Sequence, residues 1–537
     1  MTRKKRLYII LGINILCLLL LFFLRTGQNL LNLASDAVST HTYFTLPANE
    51  DESDPLQYIS EDFTVEDGFY SNLPIVILNL DGEITNYKSF RNEEEIVDES
   101  VEEWTTGSIQ ILKAETGYTH LSDTPQNQSK IEIKKRGHTS FSFDKSQYRI
   151  NLIHTDGTEN SLDILGMGSE NSWILNGSMA DKSMLRNYLG YRIASEIMES
   201  SPDSQYCEVI FKEDGTYRYQ GLYLLQESVS RSPDRVNIDS YKPKNVYSSY
   251  IIRRDRFTNF DIMLETYGRV NQISPQWIGL KYPSDEKITD ETKKFIENDF
   301  SKIEKIIYSD KKPIFKTYSR YIDIDSFVDY FLVNEFFGNY DAGEHSTYMY
   351  KNSGERLQIG PVWDFDQAMN NYYQTEMDPE TLAFYEKPLF DHLCKDKRFI
   401  NLLKKRYAKL RKSSFSEAHV ISVIDETTSY LSSARRREWY RWAADYEDDS
   451  FLNPHNYYLQ DFIKDNVIIN RFNDSYNQEI YNIKTYLRKH GKIMQVELSK
   501  LYRLTETDSS IKDEKELILV VVLLLFFVPA ILINRKK

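Results

Sequence analysis

Leu357-Gln358-Ile359-Gly360-Pro361-Val362-Trp363-Asp364-Phe365-Asp366 is the stretch on which the reading of this chain turns. A largely apolar run delivers two carboxylates at i and i+2. Upstream, Asn339-Tyr340-Asp341-Ala342-Gly343-Glu344-His345 offers another acid in a loop-like context. On a straight strand Asp364 and Asp366 face the same side, so both can address one ion. An acid to orient a hydroxyl, then a strand, then acids to hold Mg²⁺, is the order used by phosphoryl-transfer sites. Taken alone, the same residues also read as a strand-end acid pair making turn or cap hydrogen bonds.

Outward from this stretch the texture differs on the two sides. Ser346–Tyr350 and Leu357–Trp363 read as a β-hairpin around Lys351-Asn352-Ser353-Gly354. Beyond about residue 285 the periodicity is otherwise helical, over 289–307, 324–337, 388–411, 416–442 and 476–498. Before it, Pro74–Leu80, Lys130–Lys134 and Tyr148–Leu152 are β-type runs, and Tyr206–Phe211 with Gln220–Gln226 form a hairpin around Asp214-Gly215. One helix is expected there, Lys182–Glu199, with Asp181 at its N-cap. The pattern predicts an α+β, two-lobed chain with a strand-rich lobe over 67–284 and a helical lobe over 285–500. Residues 26–66 read as an acidic tether and 501–516 as a juxtamembrane linker.

The chain has 537 residues and a formal net charge of −14. Two apolar runs interrupt its hydrophilic composition: Leu7–Leu24, preceded by Arg3-Lys4-Lys5-Arg6, and Leu517–Ile533, followed by Arg535-Lys536-Lys537. Each approaches the ~20 residues that cross a bilayer as a helix. Basic residues favour the cytoplasmic side. Segments 1–25 and 517–537 are therefore expected to be transmembrane helices with cytoplasmic ends, and the main domain extracytoplasmic. A cleaved leader is the alternative for the first run. So acidic a body argues against nucleic-acid binding. The three cysteines, Cys17, Cys207 and Cys394, do not make a disulfide framework. The histidines show no metal-ligand spacing, which argues against zinc.

Four ordered blocks carry a family resemblance. They are Arg136-Gly137-His138-Thr139-Ser140 with Asp144–Leu152; Trp173–Asn176 with Asp181–Asn187; Tyr219–Glu227 with Arg235–Ile238; and Asn339–Asp341 with Pro361–Asp366. Together they resemble the CotH family, atypical protein kinases named for a bacterial spore-coat protein. The resemblance implies a pared-down kinase-like fold with ATP and Mg²⁺ or Mn²⁺ between two lobes. It implies transfer of a phosphoryl group to a hydroxyl on a protein or cell-envelope polymer. By position, Asp341 would orient or deprotonate the acceptor hydroxyl, and Asp364, with Asp366 beside it, would bind metal. Lys145 and Arg149 would contact phosphates. Glu227 would pair with one of these cations or sit at the nucleotide edge.

One departure stands out. Family members commonly carry a His-Asn pair after the catalytic-loop acid, whereas here Ser346 follows His345. Ser346 then becomes the expected, weaker metal ligand at that position. Neither a Gly-rich GxGxxG loop nor an HRD motif is present. The alternative function is a catalytically weak or inactive kinase-like scaffold that binds spore-coat, surface or exopolysaccharide components.

Overall fold

The computed structural model describes residues 55–84, 104–137, 144–177, 179–257, 261–284, 287–371, 377–447 and 476–505. Residues 39–499 form one compact unit. A second comprises 1–38 and 500–537, of which the described part includes the short 3-10 helix Leu501–Thr505. The expected membrane spans at 7–24 and 517–533 lie outside the described residues. Among the described residues, no helix is long and apolar enough to cross a membrane.

The fold is mixed α+β. Its first half is built on seven strands: β1 (Ile75–Leu80), β2 (Thr105–Leu112), β3 (Asn127–Arg136), β4 (Gln147–Ile153), β5 (Ser172–Asn176), β6 (Ser204–Glu213) and β7 (Thr216–Glu227). They pair in the order β7-β5-β4-β3-β2-β1-β6, and β6 pairs again with β7, so the sheet closes on itself. Only the β1–β6 pairing is parallel. Along each strand every second side chain points into the closed sheet. Val76 and Leu78, Ile109 and Ile111, Ile131 and Ile133, Ile150 and Leu152, and Val209 and Leu225 fill the interior. The chain joins this barrel before residue 66: Thr64–Val65 pairs with Tyr217 and Arg218, and Ile59 and Val65 are buried.

A second sheet runs β9-β10-β8-β11-β12, from β8 (Tyr250–Asp255), β9 (Ile262–Leu264), β10 (Trp277–Tyr282), β11 (Thr347–Lys351) and β12 (Gln358–Ile359). It joins strands from both sides of residue 285, since β8 pairs with β11. Among the described residues the longer helices are α1 (Arg186–Ala194), α2 (Asp290–Ile307), α3 (Ile324–Phe337), α4 (Lys397–Leu410), α5 (Glu417–Tyr430), α6 (Ser432–Glu447) and α7 (Tyr476–Lys500).

Four elements differ from the sequence expectation, the first being 416–442, which is two helices, α5 and α6, parted at Leu431. The helix expected from Lys182 begins only at Arg186, because the Asp181 and Ser183 side chains take the N–H groups of Ser183 and Leu185 in a turn. Asp181 still accepts the Arg186 N–H at 2.8 Å, satisfying the first turn from outside. The helix expected over 388–411 is broken in two: a short turn of helix, Phe390–Leu393, and then Lys397–Leu410, where Asp396 caps the second by accepting the Arg398 N–H. The hairpin strand expected to reach Trp363 ends at Ile359. Gly360 has φ +135, and Pro361 has no N–H to continue the ladder.

Helix α6 lies against the barrel through adjacent charges. Arg437 meets Glu208 at 2.7 Å, Glu438 meets Lys145 at 2.5 Å, and Trp442 donates to the Gln220 carbonyl.

Candidate active site

Two loops meet below the second sheet. Helix α3 ends at Gly338, whose φ of +58 turns the chain away; a Cβ there would lie 2.1 Å from the Tyr486 hydroxyl. The next residue, Asn339, donates to Asn334 Oδ1 at 3.2 Å and to the Trp363 carbonyl at 3.4 Å, tying the two acid-bearing loops together. Asp341 opens a turn whose Glu344 and His345 N–H groups return to its carbonyl. Gly343 is clamped on both sides. Its N–H donates to Thr347 Oγ1 at 2.7 Å, and its carbonyl accepts from Arg254 at 3.2 Å.

Asp364 does not lie on a strand. Its φ is +63, so the same-side argument for Asp364 and Asp366 fails. What sets the acids is the residue between them. Phe365 is fully buried, edge-on to Tyr191 and Phe337, and packs so close to Gly190 that a Cβ would fall 2.4 Å from its ring. Its N–H donates to Asn187 Oδ1 at 2.6 Å, and the Asp364 N–H donates to the Tyr191 hydroxyl at 3.3 Å. Helix α1 thus acts as a template for the turn that carries both acids.

The acids converge electrostatically. The Asp366 carboxyl lies beside that of Asp364, and Ser346 Oγ donates a long 3.4 Å bond to Asp364 Oδ2. Burial raises Asp364 above the ordinary carboxylate range; the Asp255 charge adds to this, and Arg136 opposes it. Burial likewise pushes Asp341 up to about 6, with Asp364 and Asp255 adding and Arg256 and Lys387 opposing. His345 is pushed down to about 4 by burial and the Arg256 charge, so it is neutral at pH 7. Its Nδ1 lies 3.8 Å from Asp255 Oδ1.

The other expected residues are dispersed. Lys145 is buried, and among the described residues its ammonium meets Glu438 and the Leu222 carbonyl. Glu227 takes the Asp203 N–H at 2.9 Å and lies 3.5 Å from Arg235. The cation–acid partnership expected of Glu227 is therefore made with Arg235. Arg149 is exposed, over the Trp104 ring and close enough for its charge to act on Lys281. Burial, aided by Arg253 and Arg149, lowers that lysine to about 8. Arg136, which also reads as a turn residue, faces Asp364 and lies over the Trp363 ring.

Sequence reading missed Asp255 and Arg256. The signal was Arg253-Arg254-Asp255-Arg256, four charges ending an apolar strand, which resembles an ordinary solvated strand end.

Among the described residues, no three His, Cys, Asp or Glu side chains gather as a protein cage for a metal. Mg²⁺ does not need one: it binds through one or two carboxylates, with phosphate oxygens and water completing its shell. Two neighbouring carboxyl groups with a hydroxyl beside them are hard oxygen donors of that kind. The residues present therefore fit a divalent ion.

No curated protein matches the chain. A family model described as CotH kinase protein matches residues 133–494, which takes in both acid-bearing loops, helix α1 and the second sheet. On that match, the chain belongs to the CotH kinase protein family.

Proposed function

We propose that this chain is a membrane-anchored, kinase-like phosphotransferase acting on a hydroxyl of a protein or cell-envelope polymer. The observation that carries this reading is the convergence of Asp341, Asp364 and Asp366 on two loops joined through Asn339. Asp364 and Asp366, with Ser346, would hold Mg²⁺ or Mn²⁺, which supplies charge neutralisation for the phosphates of ATP. Asp341 accepts the hydrogen bond of the acceptor hydroxyl and receives its proton as the new P–O bond forms and the β–γ bridge bond breaks. Its raised pKa suits that task, because a carboxylate near 6 is a stronger base than an ordinary aspartate. Arg149 would contact phosphate, and Arg136, whose charge acts on Asp364, would join it on releasing Gln147. A kinase-like pair of lobes, with the barrel as one and the helices as the other, is part of this reading.

The anchoring rests on Leu7–Leu24 and Leu517–Ile533 with their flanking basic clusters, and it puts residues 26–516 outside the cytoplasmic membrane. A second reading, a binding scaffold without catalysis, is favoured by Ser346, whose hydroxyl is a weaker ligand than an amide oxygen.

The test is label transfer from γ-labelled ATP by the full-length chain with Mg²⁺ or Mn²⁺. Asp341→Ala and Asp364→Ala each abolish it if the reading holds. A folded chain that binds no nucleotide by calorimetry overturns it. A reporter fused after Lys537 checks the topology; activity only in the cytoplasm is expected.

A further inference from the structure

The cations around the two acid loops are nearly all engaged. Arg253 and Lys281 share Asp261 at 2.5 and 2.6 Å, Lys387 meets Glu344 at 3.1 Å, Arg136 donates to Gln147 at 2.8 Å, and Arg254 holds Gly343. Arg256 differs. Its backbone N–H donates to Asp255 Oδ1 at 2.9 Å, but among the described residues its guanidinium makes no hydrogen bond or ion pair. It is nevertheless only partly exposed.

Position explains where that guanidinium stands. Arg256 directly follows Asp255, the last residue of β8, whose carboxyl lies 3.8 Å from His345 Nδ1 next to the Asp341 turn. Arg254 reaches the Gly343 carbonyl beneath the Asp341 turn. Arg256 lies one step further along, beside Asp341 and His345, on both of which its charge acts. A guanidinium with no hydrogen-bond or ion-pair partner among the described residues, and half withdrawn from water, is suited to an anion. Its planar fork matches the oxygens of a phosphoryl group.

We propose that Arg256 binds the terminal phosphate of the nucleotide and holds the phosphoryl group as it passes to the hydroxyl facing Asp341. This rests on the reading of the site as a phosphotransferase. Arg256 makes and breaks no covalent bond; it stabilises charge on the oxygens in flight. Asp255 accepts the Arg256 backbone N–H, which ties the chain at this point to the residue beside His345.

The test uses the full-length chain with Mg²⁺, comparing wild type, Arg256→Ala and Arg256→Lys. Affinities for ADP and for a non-hydrolysable ATP analogue are measured by calorimetry, and turnover by phosphate release from ATP. In Arg256→Ala the analogue should bind about tenfold more weakly with ADP unchanged, and turnover should fall by about a hundredfold or more. Arg256→Lys should recover only part, since a point charge replaces a fork. An analogue-to-ADP affinity ratio equal to wild type in Arg256→Ala overturns the inference. A wild-type chain that binds nucleotide without turnover overturns the phosphotransferase reading instead, and the affinity ratio still decides the role of Arg256. Unchanged melting of the variants excludes misfolding as the cause.

Discussion

The side-chain carbonyl of Asn187 accepts the backbone N–H of Phe365 at 2.6 Å, so the first turn of α1 fixes the turn that carries Asp364 and Asp366. Both partners are buried. Asn187→Ala leaves the Phe365 N–H without an acceptor, and an unsatisfied buried donor costs about 1–3 kcal/mol. Urea unfolding should show a loss of that size. Mn²⁺ affinity should fall as well, because the turn is freed to rotate the acids apart. Asn187→Asp keeps an acceptor and should lose less stability than the alanine variant.

Asp341 couples stability and activity to pH with opposite signs. Its pKa is raised to about 6 in the folded state, from 3.8. Between those values the folded chain holds more protons than the unfolded one, so stability contributed by this group is present below about pH 4 and is lost as pH rises through 6. The displacement corresponds to about 1–3 kcal/mol. Asp341→Asn should therefore be more stable than wild type at pH 7 by about that amount and equal to it near pH 4, while transferring no label. Wild-type turnover should have an acid limb centred near pH 6. A variant less stable than wild type at pH 7 would contradict the burial argument.

Lys145 separates a structural role from a phosphate-binding one. Its ammonium is held between Glu438 and the Leu222 carbonyl, and Glu438 also accepts the Leu222 N–H and the Tyr446 hydroxyl. Lys145→Met removes one partner of a buried pair and should cost about 3–5 kcal/mol. Lys145→Met/Glu438→Gln should recover part of that loss, since no uncompensated charge remains. Nucleotide affinity of the double variant should stay within about threefold of wild type. A much larger loss of affinity would return Lys145 to the phosphates.

The strands and long helices were legible because burial imposes a period. Ile75–Leu80, Gln147–Ile153 and Ile324–Phe337 lie within one residue of where alternation or helical repeat put them. The closure of the barrel was not, because it depends on β1 finding β6 across more than a hundred residues, and no local pattern encodes that parallel pairing. In the site, Asp341, Asp364 and Asp366 were legible as acids beside apolar runs, but the geometry that joins them was not. Asp364 at φ +63 and the break at Gly360-Pro361 replaced the strand that the hydrophobic run implied. The partner of Lys145 was not legible, because a cation beside a strand reads alike whether it faces a ligand or a distant helix, and Glu438 lies 293 positions away.

Ser346 offers the most direct test of the metal site. Its φ is +48, in the left-handed region, where asparagine is accepted more readily than serine. Its hydroxyl touches Asp364 only at 3.4 Å, a long bond with little to lose. Ser346→Asn should therefore fold at least as stably as wild type, relieving backbone strain by a few tenths of a kcal/mol. Its amide oxygen is a better ligand for a hard cation, and it points from the same backbone position toward the same carboxylates. Mn²⁺ affinity, measured by electron paramagnetic resonance, should rise about threefold or more, and label transfer should rise with it. Unchanged Mn²⁺ affinity in a folded Ser346→Asn chain would place the ion away from this corner.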